Sequence, residues 1–454
     1  MDKIRSDSKI ILALAIPAIL QTLVRSSFMI LDAYWVGKLG SLQLAALTVA
    51  TFIVWGEMSL GEMVATGTNS LVAQSTGAGN SELSKEISTI NLVNTFFHSL
   101  ILGALVIPLL PLLYFIINLN PEQAVLANRY LIPFSLGLPC VTLLATITAI
   151  FRGYGDTKTP FYLLLFSLGL NMFLTPALIF GINGFLRLEL QGAAYATLIT
   201  YFIGFLTGYR ILRKRNLVNS IFHYKFKKNI TLETLKIGTP ISLNGVAFSM
   251  IYVFVARFVA DYGTTGLAAM GIGHRSESIA YQITVGFSLA ATVLVGHNIG
   301  AGNPDRAERL TWKIFRISAI VMIAYSVILF FFSSQIAWLF TDEAPVISAA
   351  SSYNKIAAIV LIFSAAEVVL SGAFSGAGDT LPPALIGLPM NLLRIPFAAL
   401  FSPWLGLTGI WIAICTTVVL KGIIVAIWFK RGKWKTKKSK IIAKANILEL
   451  TQVQ

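Results

Sequence analysis

Apolar residues run along this chain in long stretches, parted by short segments rich in Gly, Pro, Asn or charge. At 1.5 Å rise per residue, ~20 such residues carry a helix across a hydrocarbon core ~30 Å thick. The pattern predicts twelve spans, at 9–35, 42–74, 86–116, 122–150, 160–181, 189–211, 232–259, 265–297, 306–333, 345–373, 382–402 and 407–429. Several exceed the minimum, which permits tilt without fixing it. Arg25 and Asp32 interrupt the first run and no small-residue cleavage site follows, so it reads as a spanning helix and not as a removed signal peptide.

The halves of the chain repeat each other at an offset of 223 residues. The run LVAQSTGAGN from Leu71 to Asn80 recurs as LVGHNIGAGN from Leu294 to Asn303, and FRGYGDTKTP from Phe151 to Pro160 recurs as FSGAGDTLPP from Phe374 to Pro383. Pro17 matches Pro240, Gly40 matches Gly263, and Ala45-Ala46 matches Ala268-Ala269. Six spans separate equivalent points, so both halves have one orientation and are related by an axis along the membrane normal. Parallel repeats of this kind are a transporter architecture, with binding expected between the halves near the midplane. The expected fold is an all-α membrane protein of twelve transmembrane helices, in two six-helix lobes related by a parallel pseudo-twofold repeat. Residues 1–211 form the N-terminal lobe, 212–230 a linker, 231–430 the C-terminal lobe and 431–454 a basic tail.

Composition fits this picture: 56% of residues are hydrophobic and 12% charged, against ~45–50% and ~25% in soluble domains. A net charge of +15 would suggest nucleic acid in a soluble protein. Here 24 of the 35 Lys and Arg fall on loops of the side that carries both termini, three (Lys38, Arg129, Arg187) on the opposite side, and eight within spans. By the positive-inside bias both ends face the cytoplasm, the charge reports topology, and no nucleic-acid partner is expected. Cys140 and Cys415 both sit in apolar runs and imply no disulfide framework.

The repeat together with Pro17, Asp32, Gly37-Lys38-Leu39-Gly40, Gln74…Gly77-Ala78-Gly79-Asn80 and the paired Gly155-Asp156-Thr157 and Gly378-Asp379-Thr380 resembles the multidrug and toxic compound extrusion (MATE) family over residues 9–430. Each motif alone is weak; their order and repetition make the combination specific. The resemblance implies a two-lobed exporter in the cell membrane that uses an inward proton or sodium gradient to expel small amphiphilic, often cationic, compounds by alternating access. It implies a functional monomer with no cofactor and no enzymatic activity. An organic-anion exporter of the same family and a lipid-precursor flippase of the same superfamily are the alternatives.

An ionisable residue inside a span is costly and by default a functional candidate. Asp32, near the outer end of span 1, is the leading one, and the resemblance implies that it is the coupling residue of the N-terminal lobe, with Asn171, Thr175 and Thr197 as partners. Asn171 and Thr175 are four apart and share a helix face, and together with Asp32 and Thr197 they offer oxygen ligands for a proton or sodium ion. Family members that resemble this pattern usually carry a second aspartate where Thr175 stands, and some carry a glutamate soon after the proline of span 7, where this chain has none. One carboxylate suffices for one proton and weakens a sodium site, so proton coupling is expected. Small polar residues also serve simply as interhelical hydrogen-bond partners.

Glu57 and Glu62 are five apart, ~140° around a helix, so they cannot face one point. Glu57 is expected to face the substrate cavity, with Arg25 as a counter-ion for either. Arg275 and Glu277 of span 8 and Arg394 of span 11 are further cavity candidates. With His274 they form either a charge network that locks the lobe or a site for anionic groups. Gly77 and Gly79, with Gly300 and Gly302, mark paired hinge or gate loops where glycine supplies left-handed backbone. The chain has no phosphate-binding loop of the G-x-x-x-x-G-K-S/T type, no H-E-x-x-H and no G-x-S-x-G. The tail after Lys430 is basic and is expected to lie on anionic lipid.

Overall fold

A computed structural model describes residues 2–117, 119–221 and 224–443. Its helices are α1 (Asp2–Gly37), α2 (Ser41–Gly61), α3 (Met63–Gly77), α4 (Ser81–Ile117), α5 (Pro121–Leu136), α6 (Leu138–Gly153), α7 (Lys158–Phe180) and α8 (Leu190–Lys214) in the first half. The second half contributes α9 (Lys228–Ala260), α10 (Gly263–Gly300), α11 (Pro304–Phe331), α12 (Ser333–Trp338), α13 (Ala344–Ala377), α14 (Leu381–Leu392), α15 (Arg394–Leu405) and α16 (Leu407–Lys430). Among the described residues, eleven helical stretches are long and apolar enough to cross a membrane, and the pair α5 and α6, bent by 50°, brings the number to twelve.

Three spans are interrupted at a single residue where the sequence pattern runs on, and only the one at Gly137 is sharply bent. Glu62 separates α2 from α3, Gly137 separates α5 from α6, and Leu393 separates α14 from α15. Prolines near two of these breaks remove backbone donors that a continuous helix would need: Pro139 at the start of α6 and Pro396 in the first turn of α15.

Packing groups the helices into two compact units. Among the described residues, one comprises 20–242 with 439–443, the other 2–19 with 243–438. The boundaries at Ile19/Leu20 and Ser242/Leu243 are themselves 223 residues apart, the offset of the sequence repeat. Each follows a repeated proline, Pro17 in α1 and Pro240 in α9. Thus the first half of α1 packs with second-half helices and the first half of α9 with first-half helices, whereas chain order alone assigns all of span 1 to the first lobe and all of span 7 to the second. Glycine makes both docking contacts possible: a Cβ on Gly286 would overlap Ile19, and one on Gly238 would overlap the Met63 carbonyl.

The first unit's core centres on Phe28, Leu47, Leu131, Phe134, Leu144 and Tyr201. In the other unit, Ile11 and Ala15 of α1 pack into a cluster with Phe287, Leu294, Phe374 and Phe429.

Candidate functional site

In the unit holding residues 20–242, α1, α7 and α8 bring three predicted residues together. The Thr197 hydroxyl donates to Asp32 Oδ2 at 3.2 Å, and Asn171 Nδ2 donates to Thr197 Oγ1 at 3.3 Å. Asp32 is only 5% exposed, and Asn171 and Thr175 are fully buried. Thr175 lies one turn beyond Asn171 on α7. Among the described residues, Asp32 Oδ1, Asn171 Oδ1 and Thr175 Oγ1 have no hydrogen-bond partner. Buried oxygens without donors are costly, and a proton or a hard cation relieves that cost. Tyr130 and Tyr201, neither singled out in the sequence, lie within electrostatic reach of Asp32.

Glu57 is 2% exposed and accepts a 2.5 Å hydrogen bond from Ser135 of α5. Its Oε2 has no partner among the described residues, and Tyr130 is within electrostatic reach of this carboxylate too. Arg25 pairs with Glu62 and not with Glu57. Glu62 is the one residue between α2 and α3, and its N–H still donates to Met58 O at 2.9 Å. Arg152, counted from sequence as a loop charge, is buried at the end of α6, with Nη1 donating to Thr148 at 3.1 Å.

In the other unit the predicted charges divide. Glu277 of α10 accepts from the Tyr353 hydroxyl at 2.8 Å. Arg394 is 2% exposed, donates from Nε to Thr417 at 3.0 Å, and lies 5.0 Å from the Tyr252 ring centre and 5.4 Å from that of Phe248. His274 sits edge-on between Tyr252 and Tyr353, at 4.8 and 5.8 Å. Arg275 points elsewhere: it is exposed, 5.6 Å from the Phe340 ring centre. The structure therefore gathers Glu277, His274 and Arg394 around two tyrosines and leaves Arg275 outside.

One participant was missed from sequence. Lys421 of α16 forms a 2.8 Å ion pair with Glu367 of α13, and their side chains are 5% and 20% exposed. A lone lysine in the apolar run Thr-Val-Val-Leu-Lys-Gly-Ile-Ile was signal enough. Glu367 is thus one partner of a largely buried charge pair.

The paired loops have one construction. Gly79 and Gly302 adopt φ of +79° and +74°. Asn80 N–H donates to Ser75 O at 3.1 Å, and Asn303 N–H to Asn298 O at 2.7 Å. Gly77 and Gly300 are the last residues of α3 and α10 and stay helical, so only the second glycine of each pair supplies left-handed backbone. Gly155 and Gly378 repeat the device at the ends of α6 and α13, with φ of +88° and +76°.

Known proteins resemble this chain over most of its length. The family described as MatE matches residues 17–177 and again 240–400. The probable multidrug resistance protein NorM of Thermotoga maritima is 26% identical over 97% of this chain and 96% of its own length. The FAD transporter of Shewanella oneidensis is 26% identical over 91% of this chain and 92% of its own. Among solved structures, a MOP superfamily transporter from Pyrococcus furiosus superposes with a TM-score of 0.86 at 24% identity, covering 95% of this chain and 97% of its own.

Proposed function

The chain belongs to the MatE family, and on that premise we propose that it is a secondary active exporter that exchanges protons for small amphiphilic compounds by alternating access. The loop-charge bias supports an orientation with both termini in the cytoplasm. The observation that carries the reading is the buried Asp32, bonded on one oxygen by Thr197, which Asn171 bonds in turn, and bare on the other oxygen among the described residues. A carboxylate in this setting gains from binding a cation, and a proton needs only one formal negative charge. In the working cycle a proton entering from outside occupies Asp32, the hydrogen bonds through Thr197 to Asn171 rearrange, and α1 shifts so that substrate leaves outward. Names of relatives such as multidrug resistance protein NorM support drugs or toxic metabolites as cargo.

A second reading, export of an anionic compound, is favoured by Arg394, whose buried Nη1 has no hydrogen-bond partner among the described residues, and by the relative named FAD transporter. Purified protein in vesicles, given a proton or a sodium gradient separately and offered one cationic dye and one organic anion, tests both. The proposal expects proton-driven dye movement that Asp32→Asn abolishes. Transport of the dye by the folded variant at the native rate would remove Asp32 from the coupling role, and transport of the anion alone would favour the second reading.

A further inference from the structure

The last described stretch, from Arg431 to Ala443, is not a loose basic tail. Gly432, at φ +73°, turns the chain sharply after α16, and the segment then runs along the helix ends. Trp434 is fully buried, stacked 4.6 Å from Phe429, and donates from Nε1 to Phe429 O at 2.9 Å. Lys435 bridges Asp305 at 2.9 Å and Glu308 at 2.6 Å, both in the first turns of α11. Lys438 Nζ donates to the carbonyl of Gly300, the last residue of α10, at 3.0 Å. Within the other unit, Ser439 N–H donates to Gln74 Oε1 at 3.1 Å, and Ile442 is fully buried.

With that face committed to protein, Arg431, Lys433, Lys437 and Lys440 remain exposed, and no ion pair involves them among the described residues. The nearby acids Asp305 and Glu308 are already taken by Lys435. This strip begins one residue beyond Lys430, the last residue of a stretch long and apolar enough to cross a membrane. We propose that the exposed face of residues 431–437 is a binding strip for anionic phospholipid headgroups, and that lipid bound there holds the segment, with the bond from Lys438 to Gly300, against the end of α10. Clustered Lys and Arg beside a span gain most where the surface carries anionic lipid, and salt weakens that gain. The proposal is independent of the coupling role of Asp32.

The test is amide hydrogen exchange of residues 431–443 in the full-length protein, reconstituted in zwitterionic vesicles or in vesicles about one third phosphatidylglycerol. Exchange should slow by about tenfold or more in the anionic vesicles, and high salt should reverse it. The variant Arg431→Gln/Lys433→Gln/Lys437→Gln spares Trp434, Lys435, Lys438 and Ser439. It should exchange like the native protein in zwitterionic vesicles and gain no protection in anionic ones. Equal native exchange in both vesicle types, or a lipid effect that survives in the variant, would overturn the proposal. So would inorganic phosphate reproducing the effect in zwitterionic vesicles, because the strip would then be a general anion site.

Discussion

Replacing either partner of the Lys421–Glu367 pair should destabilise the protein unequally, and the inequality follows from exposure. At 2.8 Å and an effective dielectric of ~20, the attraction is about 6 kcal/mol, and the cost of burying two ions offsets most of it. Removing one partner leaves the other buried without compensation, which costs about 3–5 kcal/mol. Lys421→Met leaves Glu367, 20% exposed, which water partly solvates, so its cost belongs near 3 kcal/mol of that range. Glu367→Gln leaves Lys421, 5% exposed and within electrostatic reach of Arg394, so its cost belongs near 5 kcal/mol. The double variant retains only a poorly bonded amide, at about 1–3 kcal/mol. Equilibrium unfolding of the purified variants in mixed micelles should give a coupling energy of about 3 kcal/mol or more. Additive costs, to within about 0.5 kcal/mol, would show that the pair is not an interior charge pair and would refute the reasoning.

Gly79→Ala and Gly302→Ala should each cost about 1–2 kcal/mol, because both positions have positive φ and no neighbour within 4 Å, leaving only backbone strain; asparagine at either site should cost less, as thermal unfolding will read. Gly238→Ala and Gly286→Ala should each cost about 1–3 kcal/mol by overpacking where α9 meets Met63 and α10 meets Ile19; unchanged melting would place these helices further apart. In the turn before α7, burial pushes the Asp156 carboxyl up, but hydrogen bonds from the Thr159 hydroxyl and amide and from Arg215 outweigh it and hold the group below the usual carboxylate range. Its contribution to stability is therefore fully present above about pH 4 and is lost as pH falls through the lowered folded value. Melting followed from neutral to acid pH should fall more steeply for the native protein than for Asp156→Asn.

The spans were legible because hydropathy reports what must be buried in lipid, and the repeated turns because left-handed backbone requires glycine at the same place in both halves. The exchange of half-helices at Ile19 and Ser242 was not legible: an apolar face does not encode which neighbour covers it, and only the small residues Gly238 and Gly286 hinted at close approach. Asp32, Asn171 and Thr197 were grouped through the family resemblance and not by periodicity, which shows only that Asn171 and Thr175 share a face of α7; Thr175, one turn beyond Asn171, has its hydroxyl unbonded among the described residues. The pairing of Arg25 with Glu62 is a contact between helices, which apolar periodicity does not record. Composition described the tail as basic, which hid Trp434, the residue that docks it.

The central claim is that Asp32 exchanges its proton against substrate. Purified protein in weakly buffered detergent solution, titrated with a transported compound and followed with a pH indicator, measures this directly. The account predicts release of about one proton per substrate bound, as linkage between two mutually exclusive ligands requires, and none from Asp32→Asn that still binds substrate. Equal release from both proteins would contradict it.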